Sequence, residues 1–395
     1  MTFLCISTYF KGVAFLKACK AAGNTVYLIT SKDLEGEAWP RESLDEIFYV
    51  ASDDNTLQAH QNMADGVAWL MREQAIDRIV ALDDFDVEKA AYLREEFRSP
   101  GMGQTTARHF RDKLAMRVQA RDAGLRVPPF VGLFNNAAIN HFADTTATPW
   151  VVKPRGEASA TGIKKVHSKE ELWRIIDELG NQRHRYLVEQ FKPGDVYHVD
   201  ALSFEGEMLF CQTSQYLATP MEVAHGGGIF RTATLPYDSE DDRALQRFVR
   251  EVMRAFRMQT SASHTEFIRC HEDGEFYFLE TSSRVGGAHI AEMVEAASGI
   301  NLWAEWARLE DAAARRTTYA LPGRRHSHAG LIVSLSRYEH PDMSGFNDPE
   351  VVWKIDKRHH VGLIVQSDDR KRIRMLLDDY AARIQRDFHA SAPSA

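Results

Sequence analysis

The segment Ser263–Arg284 combines residue types that could bind a metal ion. It reads as a β-hairpin, and strand alternation places His264 and Glu266 on one face of its first strand and Glu280 and Ser282 on one face of its second. We predict that Glu266 pairs with Glu280, and His264 with Ser282. Facing carboxylates about 5 Å apart repel unless a cation lies between them or one is protonated, and oxygen ligands suit Mg²⁺. The alternative is a solvated hairpin whose charges face water.

This pairing depends on the turn. We expect the hairpin to close over the three-residue loop 272–274, with Gly274 at the position that needs a positive φ. Uninterrupted alternation then puts Phe276 and Phe278 on the same face as Glu280. Arg284 follows on the same alternation.

Bulk composition narrows the class of protein. A chain of 395 residues can form two to four domains, and its net charge of −8 argues against a general nucleic-acid binder. The four cysteines are widely separated and form no CxxC, which argues against a disulfide framework or zinc site and favours a reducing cytosol. We see no signal peptide and no apolar run approaching the ~20 residues of a membrane span. We expect disorder only in the tail after Phe388.

The elements that must position the hairpin begin with alternating strands and helices over residues 1–103, a pattern that predicts a parallel sheet. The loop after the first strand lacks GxGxxG, so dinucleotide binding is poorly supported. Asp83, Asp84 and Asp86 follow the carboxyl end of a strand, where open sheets place ligands. They could face a substrate, or they could cap a helix.

Two lysines precede the hairpin in contexts suited to phosphate. Lys113 lies in a helix predicted over 105–123, beside an apolar stripe of Phe110, Leu114 and Val118. Lys153 ends a buried-type strand and opens the small-residue loop 154–162, whose backbone amides could surround phosphates. The loop is a weak signal by itself, since it holds two glycines and is not a Walker A loop.

Beyond this loop, a strand over 185–191 runs directly into another over 196–203. Their junction could be a hinge that offers backbone groups to a planar base, with Asp195 available for sugar hydroxyls, or it could be a simple hairpin. Arg231 is expected to face the cleft, where it could bind a substrate carboxylate, or to be an ordinary surface arginine. Residues 330–384 predict a final α+β unit.

The order of these pieces resembles the ATP-grasp superfamily, from about residue 1 to 310. A βαβ domain precedes a helix lysine. Then come Val-Val-Lys-Pro with a small-residue loop, Val-Glu-Gln-Phe ending in Gly-Asp, and paired glutamates fourteen residues apart with an arginine four residues later. The resemblance implies an ATP-grasp fold of α/β and α+β class. Its parts would be a pre-ATP-grasp domain (1–103), a small lobe (104–188), a large lobe (189–312) and a C-terminal α+β unit (313–388), before a disordered tail (389–395).

The resemblance also implies a role for individual residues. Glu266 and Glu280 match the magnesium ligands, Ser282 stands where the best-known members have asparagine, and Arg284 matches an arginine that steadies the anionic intermediate. His264 lies beside the metals, either supporting them or packed as an ordinary strand histidine. The positions that match nucleotide-binding residues are Lys113, Lys153, Ser159, Gly162, Glu189, Gln190, Phe191 and Asp195.

The function implied is that of an ATP-dependent carboxylate–amine ligase, which forms an amide through an acyl phosphate and uses Mg²⁺, with Mn²⁺ as a possible substitute. Its partners would be a small carboxylate and an amine, without nucleic acid or membrane, in a cytoplasmic protein, and a homodimer is expected because family members are often dimers. A biotin-dependent carboxylase subunit is a second possibility, although the chain has no Met-Lys-Met biotinylation site. A nucleotide-binding regulator without turnover is a third, and the retained lysines, glutamates and Arg284 argue against it.

Overall fold

The computed structural model describes residues 1–51, 56–157, 162–220, 222–223 and 227–390. In this part of the chain the strands are β1 Thr2–Ile6, β2 Thr25–Ser31, β3 Glu46–Val50, β4 Arg78–Ala81, β5 Phe130–Gly132, β6 Trp150–Pro154, β7 Lys164–Val166, β8 Tyr186–Gln190, β9 Gly194–Phe204, β10 Glu207–Tyr216, β11 Phe230–Thr234, β12 Ser261–Cys270, β13 Phe276–Ser282, β14 His328–Leu335, β15 Val351–Lys354 and β16 His360–Ser367. The α-helices are α1 Val13–Ala21, α2 Leu57–Leu70, α3 Val87–Glu96, α4 Gln104–Arg108, α5 Lys113–Asp122, α6 Asn136–Thr145, α7 Lys169–Leu179, α8 Glu240–Ala255, α9 Ile290–Ser298, α10 Leu302–Arg315 and α11 Arg370–Asp387.

The N-terminal strands form the predicted parallel sheet, in the order β3-β2-β1-β4. Alternating helices cover parallel strands, because each crossover must return the chain to the same end of the sheet. Beyond β4, the Asp83 side chain accepts a hydrogen bond from the Phe85 backbone amide at 3.1 Å, as a capping residue does. The next residue, Asp84, instead reaches a residue of the later hairpin.

Two further sheets hold the central part of the chain, and the strand junction at 191–193 connects them. One sheet has the order β5-β8-β6-β7, and the other has the order β13-β12-β9-β10-β11-β14-β16-β15. Because β8 pairs with β5 and β6 while β9 pairs with β10 and β12, the hairpin alternative for this junction is wrong. The junction carries the chain from one sheet to the other.

The helix predicted over 105–123 is interrupted, and this interruption positions Lys113. Helices α4 and α5 are separate, and Asp112 caps the second by accepting hydrogen bonds from the amides of Leu114 and Ala115. The break changes the helical phase, so the predicted apolar stripe is wrong at Val118, which is 36% exposed, whereas Arg117 is fully buried. Lys113 becomes the first residue of α5, and its backbone amide donates to the carbonyl of Arg155 at 2.9 Å.

The hairpin β12–β13 pairs Glu266 with Glu280 and His264 with Ser282, as predicted. The turn differs from the prediction: the Cys270 amide donates to the Glu275 carbonyl, so four residues rather than three close the loop. A β-bulge at Leu279 then inserts one extra residue into β13 and restores the predicted register at the glutamates. The prediction that Phe276 and Phe278 share a face with Glu280 is wrong for the same reason, since both rings pack into the core below the sheet.

The C-terminal strands β14, β16 and β15 continue the eight-stranded sheet, with α11 packed against β14 and β16. Order extends past Phe388, where the predicted tail begins: His389 Nδ1 lies 2.8 Å from the Ser334 hydroxyl, and the Ala390 amide donates to the Leu335 carbonyl. Residues 391–395 lie outside the described part. Among the described helices, none has the length and apolarity that crossing a membrane requires. The domain borders given above stay predictions.

Candidate active site

A cavity of about 750 Å³ lies between the two central sheets and reaches the N-terminal domain. Its volume falls in the range of small-molecule and cofactor sites. The charged and polar side chains of its lining come from the two central sheets, from α5, from connecting segments and from the segment that follows β4, and they include Asp84, Arg111, Lys113, Lys153, Glu189, Gln190, Tyr216, Glu222, His264, Glu266, Glu280, Ser282 and Arg284. The hairpin carboxylates therefore face a cleft.

Glu280 is held from the small-sheet side of this cleft. The Lys113 ammonium lies 2.8 Å from Glu280 Oε2 and donates to the Glu157 carbonyl at 2.7 Å. Burial alone would raise the pKa of Glu280, but the positive charges of Lys113 and Lys153 lower it to about 2. Glu280 is thus a carboxylate whose charge is balanced by lysine, and an oxygen ligand ready for a cation.

Glu266 is held from the opposite side, by a polar network inside the large sheet. The Tyr216 hydroxyl donates to Glu266 Oε1 at 2.8 Å, and His264 Nε2 lies 3.5 Å from the same oxygen. His264 Nδ1 is 2.8 Å from Asp200 Oδ1, and His198 Nδ1 is 2.6 Å from Asp200 Oδ2. The Asp200 carboxylate thus bridges two imidazoles in the interior.

Charge in this network is fixed by Asp200. Burial alone would lower the pKa of His264, but the carboxylate of Asp200 raises it to about 9. The two histidines in turn keep the pKa of the buried Asp200 well below its usual range. Burial and the neighbouring Glu266 carboxylate raise the pKa of Tyr216 well above its ordinary value, so its hydroxyl stays protonated and remains a donor.

A second buried network surrounds Lys153. Its ammonium lies 2.5 Å from Glu189 Oε1, and Arg117 Nε donates to Glu189 Oε2 at 2.8 Å. Burial lowers the pKa of Lys153 to about 8, against the opposing effect of Glu189. Arg117 also donates to the carbonyl of Leu279, the residue that forms the bulge in β13. Through Glu189 and Arg117, Lys153 is therefore linked to the backbone of the hairpin that carries Glu266 and Glu280.

Arg284 lies at the end of the cleft that the N-terminal domain closes. Its guanidinium pairs with Asp84 and donates to the Val285 carbonyl at 2.9 Å. Burial would raise the pKa of Asp84, but Arg284 lowers it to about 2. Within the described residues, Arg284 Nε and Asp84 Oδ1 are buried without a hydrogen-bond partner. Buried polar atoms of this kind cost free energy unless a ligand satisfies them.

Of the remaining residues predicted to bind the nucleotide, some line the cavity and others do not. Gln190 and Phe191 line the cavity at the junction between the sheets, and Lys165 Nζ lies 3.9 Å from the centre of the Phe191 ring. Asp195 does not belong to the described lining: its side chain is 54% exposed and lies 3.4 Å from His271 Nε2. Gly162 has a φ of 70°, and Ser159 lies outside the described residues.

Arg231 does not face the cleft as expected. Its guanidinium donates to Asp378 of α11 at 2.8 Å, and it is absent from the described cavity lining. The neighbouring Thr232 points the other way, and its hydroxyl lies 2.7 Å from His198 Nε2. Because side chains alternate along β11, Thr232 lies on the face of the sheet that carries the site, and Arg231 lies on the opposite face.

Sequence reasoning missed several side chains of this region, among them Tyr216, Arg117, Arg111, His198 and Asp200. Tyr216 and Arg117 gave no local signal, since their partners are 50 and 72 residues away along the chain. Arg111 also lines the cleft, and its guanidinium lies 4.5 Å from the centre of the Phe85 ring. For α5, the sequence Arg-Asp-Lys did contain a usable signal, because an aspartate before a helical run is a common N-cap.

Comparison with known proteins identifies a matching family for the central part of the chain. Residues 146–292 match the ATP-grasp domain family. The chain contains an ATP-grasp domain. The matched segment holds Lys153, Glu189, Tyr216, Glu266 and Glu280, and so contributes residues from both central sheets to the cleft, whereas Lys113 and Asp84 lie outside the segment.

Curated proteins that are similar in sequence include ligases. The L-arginine-specific L-amino acid ligase of Bacillus subtilis is 26% identical over 246 residues, which cover 59% of this chain and 57% of that protein. The D-alanine–D-alanine ligase A of Chromobacterium violaceum is 27% identical over 192 residues, covering 46% of this chain and 51% of that protein. The chain thus spans little more than half the length of these relatives.

Solved structures are similar over nearly the whole chain. An L-amino acid ligase from Bacillus licheniformis has a TM-score of 0.76 at 16% identity and covers 98% of both chains. An N5-carboxyaminoimidazole synthetase from Staphylococcus aureus, complexed with ADP, has a TM-score of 0.70 at 15% identity and covers 96% of both. The predicted fold class, an ATP-grasp fold behind a parallel N-terminal domain, is confirmed.

Proposed function

We propose that this protein is an ATP-dependent carboxylate–amine ligase that joins two small molecules, at least one of them an amino acid. The observation that carries the proposal is the facing pair Glu266 and Glu280, flanked by Lys113 and Lys153 in one cleft with Arg284. The names of the curated relatives, ligases of L-amino acids and of D-alanine, support amino acids as the substrate class.

Glu266 and Glu280 would hold Mg²⁺, or Mn²⁺ in its place, with Ser282 as a weaker neighbouring oxygen. The two carboxylates fit such an ion, because both face the cleft and they lie directly opposite each other on the paired strands. When bound, the metal would neutralise phosphate charge and orient the transferred phosphoryl group. The Lys113 ammonium, which now balances Glu280, would then be available to the nucleotide phosphates.

ATP would lie along the rest of the cleft. Lys113 and Lys153 supply positive charge for its phosphates, and Gln190 and Phe191 border the position expected for the base. Glu189 contributes its side chain, rather than only its backbone, because it holds Lys153 through an ion pair. Asp195 would serve the ribose only after its exposed side chain turns toward the cleft.

The reaction would proceed in two balanced steps. A substrate carboxylate oxygen attacks the γ-phosphorus of ATP, forming an acyl phosphate and releasing ADP. An amine nitrogen then attacks the acyl carbon, the C–O bond to phosphate breaks, and amide, inorganic phosphate and a proton result. Arg284 would stabilise the oxyanion formed in this attack, a contribution worth about 3–4 kcal/mol for a preorganised donor.

Substrate positions follow from the free buried atoms at the N-terminal end of the cleft. Arg111 and the unpartnered Nε of Arg284 suit a carboxylate, whereas the free Oδ1 of Asp84 suits an ammonium group. An α-amino acid carries both groups. We infer that Asp84, which follows β4, faces a substrate, and that the enzyme acts in the cytoplasm as a homodimer.

Phosphate release measured with ATP and Mg²⁺ tests this function. Pairs of amino acids should stimulate ADP formation and yield a dipeptide detectable by mass spectrometry. Stimulation by bicarbonate plus biotin alone would identify a carboxylase instead. ATP binding without turnover in either panel would identify a nucleotide-binding regulator.

A further inference from the structure

A second cavity, of about 360 Å³, lies apart from the active-site cleft. It is enclosed by β4 and α3 of the N-terminal domain, by α10, and by the segment that leads into β12. Its charged lining residues are Arg78, Arg94, Arg257 and Glu310, and its walls include Val87 and Trp306 among other apolar side chains. The lining thus carries three positive charges and one negative charge.

Glu310 is already fully engaged. Arg78 pairs with its Oε2 through two guanidinium nitrogens, and Trp306 Nε1 donates to its Oε1 at 3.2 Å. The Glu95 carboxylate, which lies near the rim, accepts hydrogen bonds from the backbone and side-chain amides of Gln104 at 2.7 Å each. In the described part of the chain, neither carboxylate forms an ion pair with Arg94 or Arg257.

Arg94 is the buried member of the unmatched pair. It is 9% exposed and donates to backbone carbonyls, of Ile79 at 2.8 Å and of Met102 at 3.3 Å. Burial lowers the pKa of Arg94 to about 10; the Glu310 carboxylate opposes this effect, and the nearby charge of Arg78 adds to it. Arg94 therefore has only a share of one carboxylate that is already paired with Arg78, and an anion in the adjoining cavity would balance the rest of its buried charge.

Arg257 is an exposed residue of the same lining. Its φ of 58° is uncommon for a side chain other than glycine, and in the described residues it forms no ion pair. Hydroxyl and amide groups of Thr106, Gln259 and Thr260 lie in the same lining. An anion entering beside Arg257 would therefore meet hydrogen-bond donors before it reaches the buried arginine.

We propose that this cavity binds a small dianionic oxyanion, of the class of inorganic phosphate or a short dicarboxylate, between Arg94 and Arg257. Two positive charges without a carboxylate match two negative charges on the ligand. The volume accommodates a ligand of a few heavy atoms and excludes a nucleotide the size of the one expected in the 750 Å³ cleft. The proposal does not depend on the ligase function, since none of its residues lies in the cleft.

Titration of the full chain with sodium phosphate, and separately with sodium malonate, tests the proposal. Saturating ADP and Mg²⁺ occupy the cleft, and sodium chloride keeps ionic strength constant. Calorimetry and thermal melting should show saturable binding of at least one anion, and the two arms distinguish a phosphate from a dicarboxylate ligand. Arg257→Gln should weaken the Kd about tenfold, the loss expected for one charge-assisted hydrogen bond.

Arg254→Gln is the matched control, because Arg254 is also exposed and lies outside the cavity lining. It should bind the anion as the wild type does. Phenylglyoxal labelling of the unaltered protein gives a second measurement that needs no variant: the anion should protect Arg257 and leave Arg254 reactive. Absence of saturable binding by both anions, equal affinity in Arg257→Gln, or equal protection of the two arginines would overturn the proposal.

Discussion

Glu266 and Glu280 face each other across one hairpin, yet different parts of the chain hold them. Glu266 accepts a hydrogen bond from Tyr216, within a network that belongs entirely to the large sheet. Glu280 is balanced by Lys113, the first residue of α5, whose ammonium also donates to the carbonyl of Glu157 beyond β6 of the small sheet. One carboxylate is therefore held by residues of its own sheet, whereas the charge on the other is balanced by a residue from outside that sheet.

This difference teaches how a paired-carboxylate site can exist before its metal arrives. Two facing carboxylates repel, and here each one has a separate compensating partner, a hydroxyl donor or an ammonium. The hydroxyl donor can remain when a cation binds, because it uses one lone pair of one oxygen. The ammonium competes with a cation for the carboxylate, and so it must move. We expect Glu280 to be the more sensitive of the two carboxylates.

The largest expected effect comes from Glu280→Gln. The amide keeps the size of the side chain but loses the charge that the metal and Lys113 both require, so turnover should fall about a hundredfold to a thousandfold. Phosphate release at saturating ATP and Mg²⁺ measures this loss. Thermal melting should show that the fold is retained.

Glu275→Gln is its control on the same hairpin, since Glu275 is exposed and pairs with Arg126 on the surface. That variant should turn over like the wild type. Wild-type rates in Glu280→Gln would contradict the metal assignment and the contrast between the two carboxylates.

A smaller effect should follow from Tyr216→Phe, which removes the hydroxyl that donates to Glu266 and leaves the charge of Glu266 in place. Loss of a residue that orients a metal ligand typically lowers metal affinity about tenfold to a hundredfold. The Mg²⁺ concentration for half-maximal activity should rise by that factor, while kcat at saturating Mg²⁺ changes little. Tyr338→Phe, at an exposed tyrosine, is the control. An unchanged Mg²⁺ dependence would mean that Glu266 needs no positioning.

How far the sequence predicts this site is visible in the hairpin itself. Alternation gave the right pairing at Glu266 and Glu280 only because two errors cancel: the turn has one more residue than expected, and the bulge at Leu279 absorbs it. A bulge leaves no period-two signature, since it is one residue that breaks the pattern. The backbone carbonyl at Leu279 then accepts from Arg117, a contact between segments that no local pattern contains.

The parallel N-terminal sheet was predictable for the opposite reason. Strand and helix periods alternate along residues 1–103, and this pattern permits few arrangements. What could not be predicted is which side chain of a strand finds a partner in a distant element. Thr232 and Arg231 illustrate this limit, because only the position of β11 between β10 and β14 decides which of them meets His198 and which meets α11.

The pH dependence of ATP binding tests the lysines around Glu280, since Lys153 helps to lower the pKa of that carboxylate. The pKa of Lys153 is about 8, below its usual 10.5. Above pH 8 the amine is increasingly neutral, and phosphate binding must first recover a proton. The KM for ATP should therefore rise by up to about tenfold per pH unit above this value.

Unfolding does not explain such a rise. The unfolded chain holds more protons at Lys153 between pH 8 and 10.5, so this group favours the folded state more as the pH increases across that window. Lys153→Arg keeps its charge throughout and should show a flat profile, whereas Lys169→Gln, at a lysine outside the cleft, should follow the wild type. A flat wild-type profile would contradict a role for the Lys153 charge in nucleotide binding.

The smallest effect is expected for Arg231→Ala, which tests whether Arg231 lies outside the network that holds Glu266. Arg231 pairs with the largely exposed Asp378, an interaction worth at most about 1 kcal/mol. The KM for either substrate should stay within about twofold of the wild type, measured by phosphate release, because Thr232 rather than Arg231 touches the network behind Glu266. Arg284→Ala is the contrasting variant and should lower turnover about a hundredfold. A tenfold or larger rise in the KM of the carboxylate substrate in Arg231→Ala would place Arg231 in the substrate site after all, and would mean that α11 releases it when substrate binds.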